Sequence, residues 1–195
     1  MESSKQTENA TITSFDWDQW KVDMLSSNFD QSRSTEELLL VKENLSPTVK
    51  AAAQQCVTDS NNDFQSEIKN QHQLILQSLT PSKPKDGNTS GVNWNAWKKK
   101  TLKQLDQASD KSNEKTVDAI AEKGKSLPPQ EQESFAEVMG HALLSNIDEV
   151  FNDIRDGIVE AADKIAEGVE DAGKAIGNWA EGAAKSVGNF FSSIF

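Results

Sequence analysis

An apolar stripe that returns every eleven residues runs through the last third of the chain, residues 143–195. One column of it reads Leu143, Ile154, Ile165, Ile176 and Val187; a second reads Ile147, Ile158, Val169, Ala180 and Phe191; a third reads Val150, Ala161, Ala172, Ala183 and Ile194. Eleven residues make almost three turns of α-helix, so each column follows one line along a helical surface. The spacing predicts a long amphipathic helix. A continuous helix over this segment is about 80 Å long at 1.5 Å per residue, more than a compact domain of this size covers. It must fold back, meet another chain, or meet a surface.

The chemistry beside the stripe changes along its length. Gly157, Gly168, Trp179 and Phe190 form one flank; Phe151, Ala162, Gly173, Ala184 and Phe195 form the other. In the first half the polar face is acidic, with Asp156, Glu160, Glu167 and Asp171. From Ala172 onward the only charges are Lys174, Glu181 and Lys185, and Trp179, Phe190, Phe191 and Phe195 gather there. Burying those four aromatics contributes on the order of 6 to 10 kcal/mol before ordering costs. The residues expected to meet a membrane or a partner are therefore Ile165, Val169, Ile176, Trp179, Val187, Phe190, Phe191, Ile194 and Phe195.

Three destinations suit such a stripe. The first is a lipid surface, which accepts a helix with Trp and Phe on its apolar face and Lys at its shoulders. The repeat resembles that of synuclein and apolipoprotein helices in pattern, though not in sequence motifs. It departs from them in carrying Asp and Glu where lipid-binding helices carry Lys, so anionic lipid repels the first half. The Gly/Ala richness of residues 172–195 also resembles short helical pore-forming peptides. The second destination is another helix: Gly168, Gly173, Gly177 and Gly182 leave a small-residue surface for close approach, and Gly173 to Gly177 matches GxxxG. Sustained eleven-residue periodicity also suits a weakly right-handed coiled coil, and a homo-oligomer would follow. The third is the chain's own bundle, the commonest fate of an amphipathic helix.

The rest of the chain reads as helices and almost nothing as strand. Residues 1–14 are polar and expected to be disordered. The segment 15–79 opens with Trp17, Trp20, Met24 and Leu25 at three- and four-residue steps, which predicts one helical face. Ser34-Thr35-Glu36-Glu37 reads as a capping box before Leu38, Leu39, Leu40 and Val41. Ser46-Pro47 starts a third helix through Val57, and 63–79 supplies a fourth. Residues 80–91, rich in Pro, Gly and Ser, read as a linker. In segment 92–142, Asn93-Trp94-Asn95-Ala96-Trp97-Lys98 mirrors Asp16-Trp17-Asp18-Gln19-Trp20-Lys21, which suggests an internal duplication. Trp17, Trp20, Trp94 and Trp97 are expected to be core anchors rather than ligand contacts. Asp16, Asp18, Asn93 and Asn95 fit helix N-terminal capping.

Composition removes several classes of function. A net charge of -11 and a pI of about 4.7 argue against a nucleic-acid binder, which needs clustered Lys and Arg. Mean hydropathy is -0.64, so the core is expected to be thin. The single Cys56 makes no internal disulfide and reads as a small buried hydrophobe. There is no basic and apolar leader of the conventional secretory kind and no window of about 18 uncharged apolar residues. The protein is thus expected to be soluble, cytoplasmic or released by an unconventional route, and able to associate with membranes. His72 and His141 belong to no spaced metal-ligand set, and no nucleophile elbow, phosphate loop or dinucleotide fingerprint occurs. No catalytic residue, metal or cofactor is expected. The reading is an all-α, non-enzymatic protein that binds or perturbs lipid membranes through its C-terminal helix; the alternative is a structural protein that self-assembles through that helix.

Overall fold

The computed structural model describes residues 15–26, 42–79, 93–144, 147–167 and 171–194. Among them the backbone forms six α-helices and no strand: α1 (Trp17–Leu25), α2 (Pro47–Leu79), α3 (Trp94–Lys125), α4 (Pro129–Leu144), α5 (Ile147–Ala166) and α6 (Ala172–Ser193). The fold is all-α. The polar stretch 1–14, the capping box at Ser34-Thr35-Glu36-Glu37 with the leucines after it, the linker 80–91, Gly168, Val169 and Phe195 lie outside the described residues.

Local chemistry accounts for where the helices begin. Asp16 caps α1 by accepting from the Gln19 amide at 3.0 Å, and Asn93 caps α3 by accepting from the Ala96 amide at 3.0 Å. Each side chain satisfies one donor that the first helical turn leaves without a partner. At the start of α2 the Ser46 hydroxyl accepts from the Val49 amide at 3.2 Å and donates to Glu131 Oε1 at 2.7 Å. Pro47 and Pro129 occupy the first positions of α2 and α4, where a missing N–H costs nothing. Between α3 and α4 the chain turns at Ser126–Pro128, and Gln132 Nε2 donates back to the Leu127 carbonyl at 2.9 Å.

Four helices form the body as two antiparallel pairs. In the first, α2 and α3 run in opposite directions: Asp63 meets Lys115 at 2.8 Å, and the Trp97 indole donates to Ser78 Oγ at 3.0 Å. The second pair is α5 and α6, a hairpin in which Trp179 of α6 lies against Ile154 and Gly157 of α5. It lies on the first pair, with α5 beside α3 through Lys98–Asp163 and Arg155–Asp106 at 2.6 Å each, and with α6 beside α2, where Gln65 Nε2 donates to the Ala184 carbonyl at 2.6 Å. Helices α1 and α4 cover the end where α2 begins and α3 finishes. Their buried side chains and those of the four long helices form one hydrophobic cluster. The segments 15–79 and 92–142 therefore share a core.

Trp17, Trp20 and Trp97 are buried and Trp94 is half-buried against the same core. Each pair meets edge to face, with centroids 5.4 Å apart for Trp17 and Trp20 and 5.7 Å for Trp94 and Trp97. Trp17 Nε1 donates to Gln132 Oε1 at 3.1 Å and Trp20 Nε1 to the Ala136 carbonyl at 3.2 Å, so α1 is fastened to α4 by both rings. Such bonds supply the buried indole N–H groups with the partners they need.

Three expectations need adjustment. Leu25 does not share the buried face of α1: it is 48% exposed, while Met24, seven residues after Trp17, is buried. The third and fourth helices are one continuous helix, α2, of 33 residues. Its buried positions include Val49, Ala53, Cys56, Ser60, Phe64, Ile68, Gln71, Ile75 and Leu79 at three- and four-residue steps, so the polar run 58–63 stays helical because Ser60 continues a packed face. The stripe of residues 143–195, written as a single helix, is carried by α5 and α6 with a reversal between them, preceded by the end of α4. Folding back gives both halves of the stripe the same core to face.

Candidate functional site in the C-terminal hairpin

Helix α6 begins at Asp171, whose extended backbone and side chain form the N-cap: Oδ1 accepts from the Gly173 amide at 2.9 Å and from Lys174 at 3.3 Å. A Cβ on residue 173 would stand 3.1 Å from that oxygen. Gly173 thus gives the capping carboxylate room.

From this start the three- and four-residue spacing of Ala175, Ile176, Trp179, Ala183, Val187, Phe190 and Phe191 turns one face inward. Ile165, Ile176, Trp179, Val187, Phe190, Phe191 and Ile194, seven of the nine residues expected to meet a membrane or partner, are each no more than 6% exposed. They pack inside the protein's own bundle. Trp179 fixes the hairpin: Nε1 donates to the Ile154 carbonyl at 2.9 Å, and Cδ1 lies 3.1 Å from where a Cβ on Gly157 would stand. Phe64 of α2 sits between the two hairpin helices, 5.6 Å from Phe151 and 5.6 Å from Phe191, whose ring meets Phe190 at 4.8 Å. At the far end Lys42 Nζ donates to the Ile194 carbonyl at 2.8 Å.

The outward face of α6 is different. Its charges are Lys174, Glu181 and Lys185, and beyond the adjoining residues and the helix's own backbone no heavy atom lies within 4 Å of where a Cβ on Gly177 or Gly182 would stand. Those two glycines leave open surface, and the close approaches within the fold occur at Gly157 and at Gly124 instead. A Cβ on Gly124 would stand 2.1 Å from the Trp17 ring, so α1 crosses α3 where a side chain is missing. Gly157 stands in the same flanking column as Trp179, but a column does not say that its members meet. For Gly124 the sequence carries no signal beyond an isolated glycine in a helix.

Cys56 is buried between α2 and the end of α3, and burial pushes its thiol up to about 11, with Lys123 opposing and Asp59 adding to the shift. It stays protonated at neutral pH and is a weak nucleophile. Among the described residues no three His, Cys, Asp or Glu side chains converge as metal ligands, and no helix is long and apolar enough to cross a membrane.

Set against known proteins, the chain matches no family model, no curated protein and no solved structure. What the fold and site define is an all-α bundle whose most amphipathic hairpin is docked through an aromatic face. Its function has to be argued from that hairpin.

Proposed function

We propose that this is a non-enzymatic protein that binds and perturbs lipid bilayers when the α5–α6 hairpin leaves the bundle and turns its apolar face to lipid. The observation that carries the reading is the makeup of α6: a folded helix with Trp179, Phe190, Phe191 and Ile194 on one side and three charges on the other. Each large apolar side chain in the face is worth about 1.5–3 kcal/mol when buried, so exposure to water holds the hairpin closed. A bilayer interface offers the same side chains a second place to be buried. Opening then trades one apolar contact for another and gives up the hydrogen bonds from Gln65 to Ala184 and from Lys42 to Ile194, the ion pairs Lys98–Asp163 and Arg155–Asp106, and the packing on α2 and α3.

Flotation and dye release with neutral and anionic vesicles test this. Binding by the full chain that is lost on removing residues 172–195 supports it; no binding to either vesicle refutes it.

Self-assembly is the second reading, favoured by one observation: the open space at Gly177 and Gly182 on the outward face of α6. A partner helix approaches closely over glycine. Light scattering in lipid-free buffer distinguishes it, since a strict monomer at all concentrations contradicts assembly and leaves the membrane reading intact.

A further inference from the structure

Where the two helical pairs meet, the packing is incomplete. A cavity of about 370 Å³ lies between α2, α3 and the α5–α6 hairpin, with Phe64, Ile68, Leu105, Phe151, Ile154 and Trp179 among its walls. Ligand pockets in proteins run from about 300 to 1,000 Å³ and are mostly apolar with a few convergent polar groups. This one has such groups: the carboxylates of Glu67, Asp106 and Asp110 and the amide of Gln71 stand among Ser109, Ser112, Asn113, Asn152 and Arg155.

Gln71 lines the cavity and is only 8% exposed. Its Nε2 donates to Glu67 Oε1 at 2.7 Å, but its carbonyl oxygen has no hydrogen-bond partner in the protein and is closed off from solvent. Asn113, on α3, also lines the cavity with its carbonyl oxygen in the same condition. A buried acceptor left unpaired costs the fold free energy that a ligand N–H can return. The charges agree with this demand for donors. Of the described lining residues the one cation, Arg155, is already held by Asp106 at 2.6 Å, and Glu67 and Asp110 add two further carboxylates.

We propose that this cavity binds a small cationic aromatic amine, with its ring among Phe64, Phe151 and Trp179 and its ammonium received by Glu67 and the Gln71 carbonyl. An anion of the same shape meets three carboxylates against one cation, Arg155, which is already paired with Asp106. A simple aliphatic amine lacks the ring that fills the apolar wall. The site draws on both helical pairs, so it exists only while α5 and α6 are docked, and the proposal does not depend on what they do when released.

The probe is 2-phenylethylamine, with 3-phenylpropanoate as the charge-reversed match and methylamine as the ringless one. Titration of the full chain is followed by calorimetry and by the indole N–H resonance of Trp179. The expected result is saturable binding of phenylethylamine that moves the Trp179 resonance, with both comparators at least about tenfold weaker. Glu67→Gln and Gln71→Leu should each weaken phenylethylamine about tenfold, the equivalent of 1.4 kcal/mol. Glu67 is half-buried and its amide isostere keeps an acceptor for Gln71, so that variant folds even if the leucine variant does not. No saturation at millimolar concentration, equal binding of phenylpropanoate, or an unchanged affinity in Glu67→Gln would overturn the proposal.

Discussion

The indole of Trp179 rests on the bare backbone of Gly157, 3.1 Å from the place of the missing Cβ, and donates to the carbonyl of Ile154 three residues earlier at 2.9 Å. One ring thereby joins α6 to α5 by contact and by hydrogen bond.

Replacing Gly157 by Leu fills the space the indole uses. Overpacking of this kind costs about 1–3 kcal/mol, and here the cost falls on the α5–α6 contact. The variant should melt at a lower temperature and, on the membrane reading, release dye from neutral vesicles faster than the wild type. Thermal unfolding and leakage measured on the same preparations check both. Lower stability with slower leakage would separate hairpin docking from membrane activity.

Glycines elsewhere should respond in opposite directions. Gly124→Ala places a methyl 2.1 Å from the Trp17 ring, so α1 must shift and stability should fall by about 1–3 kcal/mol. Gly177→Ala and Gly182→Ala meet no neighbour and gain helix propensity, up to about 1 kcal/mol each. Urea denaturation of the three variants checks the signs. If the two α6 alanines raise stability yet abolish a concentration-dependent oligomer, the outward face of α6 is an assembly surface.

Cys56 gives a pH signature. Its thiol ordinarily titrates near 9 and burial raises it to about 11, so between those values the folded state holds a proton that the unfolded state has lost. The stabilisation is complete below pH 9 and declines as pH rises toward 11. The stability of the wild type should therefore fall relative to Cys56→Ala between pH 8 and pH 10.5 in urea melts. At pH 8 an aromatic disulfide reagent should label the thiol only after denaturant is added.

Much of this was legible in the sequence where the chemistry is local. The Asp16 and Asn93 caps depend on neighbours within a turn and are where their spacing puts them, and Trp17, Trp20 and Trp97 are buried while Trp94 is half-buried. Ile154, Ile158, Ile165, Ile176, Val187 and Phe191, which the apolar columns of the stripe name, are buried in α5 and α6. What they face was not legible, because the columns run on in register from one helix to the next although α5 and α6 pack side by side. Continuity of α2 through Ser60, Asn61 and Asn62 depends on packing against other helices, which overrides weak local propensity. The cavity beside Gln71 exists only because four helices meet around it, so no single stretch announces it.

Vesicle charge offers a separate test of the membrane reading. The outward face of α5 exposes Asp153, Asp156 and Glu160, and the chain as a whole carries -11. Neutral vesicles should bind more tightly than anionic ones at low salt. The difference should shrink as salt rises and the screening length falls to about 10 Å at 0.1 M. Flotation across a salt series checks this, and tighter binding to anionic vesicles would contradict it.

Hydrogen exchange of the full chain, with and without neutral vesicles, tests the central claim most directly. If the α5–α6 hairpin leaves the bundle for lipid, amides of α2 around Phe64 and Ile68 should exchange faster when vesicles are present, while those of α6 around Trp179 and Val187 stay protected. An exchange pattern that is the same with and without vesicles would contradict release of the hairpin.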